Sequence, residues 1–478
     1  MKKTILFSIL ILLAIAGLAP AATTTAQQAE NVVKGWLKVD VQPLGTALGR
    51  KIMNVETFSD GDGQPIYYVV YLQPSGFVIV PADDLVEPII GFADDGFFDP
   101  SLDNPLGALV SRDVEGRVVA ARELEQTLKM APEAQIPSNR AKWKQLESLA
   151  DKSMGKFMLM SRSSISDVRV PPLKDTKWGQ TTCCTWPALA CYNYYTPPYA
   201  PGDADNYACG CTATAMAQLI RYYKHPQTGI GRECFWVKVC GNDRYLCTRG
   251  GDGNGGPYKW DLMVYEPDCY TTDAERRAIG ALCYDAAVSS GTEFCVSGSG
   301  SLVEYAVTAL LDTFGYSNGV FAWNQNRNIG AGLNGMVNPN LDAGYPVVLG
   351  VVGPYGGHAI LADGYGYDFS TLYHHLNMGW SGSDDAWYNL PNIDCDYPGP
   401  FNTIDECGYN VFTSGTGEII SGRVTNTSGD PISGATVTAQ GSGDPDPATT
   451  NSKGIYAIEK VPSNSTYTVS IEVNNLIK

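Results

Sequence analysis

Gly210-Cys211-Thr212-Ala213-Thr214-Ala215-Met216-Ala217-Gln218-Leu219-Ile220-Arg221-Tyr222-Tyr223 has the spacing of a helix that opens at a cysteine. Ala213, Met216, Ala217, Ile220 and Tyr223 recur at helical intervals, and Pro226 ends the run. A thiol in the first turn meets unpaired backbone N–H groups and the positive end of the helix dipole. Both favour thiolate over thiol, and the same N–H groups can receive an oxyanion. A disulfide-bonded cysteine in a buried helix is the competing reading, and position alone does not exclude it.

Downstream, Pro346 to Val352, a glycine-rich turn and His358 to Gly364 read as a hairpin with His358 opening its second strand. His358 lies 147 residues after Cys211, within the roughly 130–150 that separate Cys from His in papain-like enzymes. The run Leu372-Tyr373-His374-His375-Leu376-Asn377-Met378-Gly379-Trp380 places Asn377 at the end of a neighbouring strand. There its amide is expected to hold one imidazole nitrogen and fix the tautomer. Asp363, in strand register with His358, is the second choice for that partner. His374 and His375 fall on opposite faces of their strand and are read as packing residues. His225 is read as a helix-end side chain.

The chain has 478 residues, 44% hydrophobic and 17% charged, with 51 glycines and 27 tyrosines. Those figures describe a globular, loop-rich protein of two to four domains. A formal charge of -17 repels nucleic acid and anionic surfaces, and no basic run reverses it locally, so nucleic acid is excluded as a partner. Lys2, Lys3, an apolar run from Ile5 to Ala16 and Ala19-Pro20-Ala21 form a secretory signal over residues 1–21, so the protein is expected to be secreted. All 13 cysteines lie between Cys183 and Cys407. With one thiol kept free, twelve suffice for six disulfides in an oxidising compartment. There is no Cys-x-x-Cys pair and there are only four histidines, so neither a metal nor a cofactor is expected. Asp60-Gly61-Asp62-Gly63 and Gly251 to Gly256 resemble calcium loops in composition but lack the closing Glu, and read as turns.

Ahead of the cysteines, Ile66 to Leu72 and Phe77 to Val80 read as paired strands, with a third from Pro88 to Phe92. Helical spacing follows from Ala120 to Met130, and Ser161 to Ser166 reads as an exposed linker suited to cleavage. Beyond Thr413, four short strands spaced by Gly, Pro, Asn and Ser turns read as a small β-sandwich over 417–478.

The blocks around Cys211, Gly356-Gly357-His358-Ala359 and Asn377-Met378-Gly379-Trp380, with Lys177-Trp178-Gly179-Gln180 upstream, resemble the signature blocks of the streptopain family of cysteine peptidases. The strands from Tyr67 to Phe92 resemble that family's inhibitory propeptide. The resemblance implies an α+β fold in which a papain-like, two-subdomain peptidase over 166–413 follows an α+β propeptide over 22–165 and precedes the all-β sandwich. It implies Cys211 as nucleophile, His358 as base and acid, Gln180 as oxyanion donor, Asn377 as imidazole orienter and Trp380 as an aromatic shield at the substrate site. The implied partners are protein or peptide substrates and the chain's own propeptide as inhibitor, with a surface or polymer as a target for the C-terminal module. The chain departs from the family at Thr181 to Pro187, at Met378 and at Cys209. Two other functions use parts of the same set. A cell-wall amidase or transpeptidase shares the Cys-His chemistry, and an adhesin on an inactive scaffold would suit the terminal module.

Overall fold

Residues 65–73 are apolar on both faces of a strand, a pattern that requires cover from both sides. The computed structural model, which describes residues 23–130, 138–150, 166–323, 332–353, 356–390 and 403–473, supplies that cover. Val70 and Val80 face Val32 and Trp36 of the helix Ala26–Val39 and Trp143 and Leu146 of the helix Ser138–Ala150. Those two helices meet at Gly35, where a Cβ would lie 1.9 Å from the carbonyl oxygen of Leu146. Tyr67, Val69 and Phe77 face the other way, onto Leu106, Leu109, Val110 and Val114 of the helix Pro105–Met130.

Lys51–Ser59, Pro65–Gln73, Phe77–Pro81 and Gly91–Ala93 form an antiparallel run that does not stop at the end of the N-terminal region. Gly91–Ala93 pairs with Ala386–Tyr388, through Trp387 opposite Phe92 and Tyr388 opposite Gly91. The sheet continues through Thr371–Asn377, Gly356–Asp368, Val347–Gly353 and Ile404–Phe412 to Asn318–Trp323, and Ser166–Val170 pairs beside Gly356–Asp368. These eleven strands make one sheet. On one face, the core under the N-terminal strands runs on without interruption into Leu333, Val337, Leu349 and Ile360. On the other, the helix Cys211–Tyr223 packs with the helices Asp273–Ser289 and Val303–Asp312 against Val348, Ala359 and Leu361.

The fold is the α+β arrangement anticipated, with three differences of detail. The third N-terminal strand is only Gly91–Ala93, because Ile89 and Ile90 are buried just before the pairing begins. The helix Ala26–Val39 and the strand Lys51–Ser59 escaped the sequence reading; the strand's outward face is largely exposed and mixed in polarity. The end of the expected linker, Ser166 to Val170, is a paired strand and not loose chain. The signal segment and residues 161–165 lie outside the described residues. The terminal strands Glu418–Arg423, Thr436–Gln440, Ala448–Thr449, Ile455–Val461 and Thr468–Glu472 form two small sheets around Val424, Val437, Ile458 and Val461. They dock on the preceding region through Ser421 on Asp342 and Arg423 on Asp167, each at 2.7 Å.

Trp36 donates its indole N–H to Asp368 Oδ2 at 2.6 Å, joining the first helix to the His358 strand. Burial dominates Asp368 and raises its pKa to about 7, although the indole bond partly offsets it. Because the folded-state value lies above the unfolded one, ionisation opposes folding. The penalty grows from about pH 4 to about pH 7 and is constant above. Asp368→Asn should therefore gain melting temperature relative to wild type steadily across that range and hold the gain at pH 8; a difference that does not vary with pH would overturn this.

Candidate active site

Gly210 has φ +95°, and a Cβ there would sit 2.7 Å from the carbonyl oxygen of Ser299. That glycine lets the chain turn sharply into the helix at Cys211, its first residue. Every residue from Cys211 to Arg221 is buried. His358 reaches the helix end from the hairpin of Val347–Gly353 and Gly356–Asp368, in which it pairs with Val351. The two side chains act on each other electrostatically, and the second ring nitrogen of His358, Nδ1, is buried with no hydrogen-bond partner among the described residues. Burial opposes ionisation of the Cys211 thiol, but the neighbouring His358 imidazole outweighs it and holds the thiol below its ordinary value. Burial likewise opposes protonation of His358, and the Cys211 contact overcomes it to raise the imidazole. Both shifts favour a thiolate beside an imidazolium.

Gln180 enters the same cleft from a segment held by its backbone. Its carbonyl accepts the Cys209 N–H at 2.9 Å, and the preceding carbonyl, of Gly179, accepts the Thr214 hydroxyl at 3.0 Å. The side-chain Nε2 of Gln180 is buried and has no partner. A buried amide without a partner is a donor available to a developing negative charge. Cys211, His358, Gln180 and Trp380 all line one cleft of 1710 Å³, and among the described residues none beyond Glu406 contributes to it.

The structure does not bring Asn377 to the imidazole. Its Nδ2 donates to Thr176 O at 2.9 Å and Asp385 Oδ2 at 3.1 Å, while its Oδ1 accepts from Gln218 Nε2 at 2.8 Å and the Gly379 N–H at 3.1 Å. With both donors and both acceptor sites occupied, the amide has nothing left for His358. Asp363, the alternative partner, is bonded to His375 Nδ1 at 2.6 Å and faces Lys174 Nζ at 3.6 Å. His374 is engaged with Asn338 at 2.7 Å and His225 with Gly315 O at 3.3 Å.

The partner of His358 comes from the N-terminal region: its Nε2 lies 2.9 Å from the carbonyl oxygen of Leu102 and donates to it. Leu102 and Asp103 line the cleft beside Cys211. Asn104 fixes this loop, accepting the N–H groups of Leu106 at 2.9 Å and Gly107 at 3.1 Å while donating to Asp384. Sequence reasoning missed the contact because a main-chain carbonyl leaves no residue-type signal. It also missed Gln218, whose signal was present: it lies seven residues after Cys211, on the same helix face, as a polar side chain in an apolar run.

Of the six disulfides for which the cysteine count allows, two are formed among the described residues, Cys184–Cys269 and Cys234–Cys247. The aspartates of the two calcium-like loops are used locally. Asp60 Oδ1 accepts from the N–H groups of Asp62 and Gln64, and Asp252 Oδ1 from those of Asn254 and Gly256. No described helix is long and apolar enough to cross a membrane.

Residues 186–388 match the model of the Peptidase C10 family, residues 21–112 that of the Spi protease inhibitor and residues 419–475 that of the carboxypeptidase regulatory-like domain. The thiol protease/hemagglutinin PrtT of Porphyromonas gingivalis is 23% identical over 416 residues, 86% of this chain and 43% of that protein. The chain thus spans under half the length of that relative. Streptopain of Streptococcus pyogenes is 23% identical over 333 residues, 68% of this chain and 73% of that protein. A solved structure of Prevotella intermedia prointerpain A aligns with a TM-score of 0.48 at 20% identity, covering 75% of this chain and 98% of that one. With a Spi-type segment ahead of its peptidase-like region and a carboxypeptidase regulatory-like domain behind it, the chain is similar in its central region to the streptopain-type cysteine peptidases of the Peptidase C10 family.

Proposed function

We propose that this chain is a secreted cysteine endopeptidase made as a latent zymogen, in which residues 22–165 block a peptidase unit spanning 166–413. One observation carries the proposal. The Cys211 thiol at a helix N-terminus and the His358 imidazole line one cleft and stabilise each other's charged forms, and an N-terminal carbonyl, that of Leu102, holds the imidazole from the cleft side.

In the working enzyme the Cys211 thiolate attacks the scissile carbonyl carbon. The new oxyanion is received by Gln180 Nε2 and the amide N–H groups at the helix start. The His358 imidazolium gives its proton to the leaving amine, which departs as the C–N bond breaks and a thioester forms. Neutral His358 then takes a proton from water, whose oxygen attacks the thioester, and the thiolate leaves. Trp380 forms an apolar side of the substrate cleft. Asn377 acts as a positioning residue, tying the sheet to the Cys211 helix through Gln218. The terminal module, remote from the cleft, serves attachment to a surface or polymer.

In the latent chain Leu102 and Asp103 occupy the ground a substrate needs, and Leu102 O holds the Nε2–H of His358. Cutting the chain before Ser166 severs the covalent tether, and the inhibitory segment can then leave the cleft.

Cys211→Ala should abolish turnover of a small peptide and His358→Ala should do nearly the same, since the pair acts as one unit. Gln180→Ala should lower kcat by roughly 10²–10³-fold. Comparable turnover by Cys211→Ala would sink the assignment.

Processed enzyme should react with iodoacetamide at Cys211 with a midpoint below the ordinary thiol value, and His358→Ala should move that midpoint upward. Peptide mass mapping of the labelled site across pH decides it.

Purified full-length Cys211→Ala should stay intact, while wild type should shorten to a form beginning near residue 166 and gain activity in step. Asn104→Ala, which loosens the Leu102 loop, should speed the shortening. Full activity from uncut wild type would refute latency.

A truncation ending near Thr413 should keep small-peptide turnover, even where loss of the Asp342 and Asp167 contacts lowers its melting temperature.

A further inference from the structure

Six more cysteines fall into three pairs that the fold places near each other. Cys240 follows Val239, which is in parallel register with Phe294, and the Cys240 N–H donates to Phe294 O at 2.7 Å. Cys295 is the next position on that strand's path, which the register sets beside Cys240. Neighbours across a sheet lie about 4.8–5.5 Å apart at Cα, inside the range a disulfide spans. Cys183 occupies the bulge in the hairpin of Thr182–Thr185 and Ala188–Ala190, where Thr182 pairs with Ala190. Cys191 follows Ala190, and the N–H of Tyr192 returns to Thr181 O at 3.0 Å, so Cys191 sits opposite the Cys183 bulge. Cys209, fully buried two residues before Cys211, shares one apolar core with Cys283, in the middle of the helix Asp273–Ser289.

We propose that Cys183–Cys191, Cys209–Cys283 and Cys240–Cys295 are oxidation sites that close into disulfides, leaving Cys211 as the reactive thiol of the described residues. Each closure removes two protons and two electrons from a thiol pair. A disulfide oxidant such as oxidised glutathione accepts them, its S–S bond breaking to give two thiols as the new S–S bond forms. Cys240 is exposed and can exchange after folding. Cys209 and Cys283 are sealed in the core, so their bond must form before the core closes. Cys407 is also buried, and burial pushes its thiol well up, which leaves it inert.

The consequence for the cleft is specific. A Cys209–Cys283 bond removes the thiol nearest to Cys211 in sequence and ties the entrance of the Cys211 helix to a second helix. A Cys209–Cys211 bond, which would silence the nucleophile, is then unavailable, and the thiolate survives in an oxidising compartment.

The test uses full-length Cys211→Ala folded in a mixed oxidised and reduced glutathione buffer. It is then denatured, alkylated with N-ethylmaleimide, digested without reduction and sequenced by fragmentation mass spectrometry. Cys184–Cys269 and Cys234–Cys247 links in the same digest report oxidised folding. The expected result is the three proposed links, each with a mass loss of about 2 Da that reduction reverses, and no maleimide on those six residues. Maleimide on any proposed pair would overturn the inference, as would Cys191 linked to Cys209 or Cys283, which lie close enough to compete. The variant lacks Cys211, so either outcome is independent of the peptidase reading.

Discussion

A helix buried on all sides cannot leave its polar side chains to water, and this requirement organises the cleft. Between Cys211 and Arg221 nothing is exposed, yet the run contains Thr212, Thr214, Gln218 and Arg221. Each finds its partner on a different surrounding segment: Thr212 on Ser301 O at 2.6 Å, Thr214 on Gly179 O, Gln218 on Asn377, and Arg221 on Met263 O at 3.0 Å. An unmade bond at any of these would cost about 1–3 kcal/mol, so the helix fixes the walls as firmly as the walls fix the helix. The Gln180 segment and the Ser299–Ser301 loop therefore stand at set positions around Cys211 before any substrate arrives.

The N-terminal region is joined to this framework by burial more than by strand pairing. Only two residue pairs connect Gly91–Ala93 to Ala386–Tyr388. Beneath them lies one continuous apolar core, and Arg117 adds a bonded clamp by donating to Asn389 Oδ1 at 2.7 Å and O at 2.6 Å. The helix Pro105–Met130 is packed into that core, and its capping loop carries Leu102 to His358. The hold on His358 and the packing of the N-terminal region thus rest on the same contacts.

A second buried polar set lies behind the cleft. Asp363 and Lys174 are buried and His375 and Asp385 half-buried, with Asp363 held below the usual carboxylate range because Lys174 and His375 outweigh its burial. Asp385 goes the other way, raised to about 6 by burial, and it accepts the Met378 N–H at 2.8 Å and one Asn377 donor. Asn377 is therefore committed to a structural network, and the block Asn377 to Trp380 is placed by that network independently of His358.

Cys211 at a helix start, His358 opening a strand, the hairpin of 65–81 and the small terminal sheets were legible in the sequence, because each depends on local periodicity, turn residues or a short motif. The helix Ala26–Val39 was missed despite a Thr25–Gln28 capping box, and the strand Lys51–Ser59 because its exposed face breaks the apolar pattern. What only the tertiary structure decided concerns partners. Asn377 is an amide near a strand end in the sequence, but four neighbours drawn from positions 176, 218, 379 and 385 take up its hydrogen-bonding capacity. The carbonyl of Leu102 carries no side-chain identity and became visible only when a loop 256 residues away in sequence reached His358. Thirteen cysteines announced oxidation but not pairing, since pairing depends on which thiols the fold brings within bonding distance. Sequence fixes what each group can do chemically, and the long-range packing of the chain decides which group it does it with.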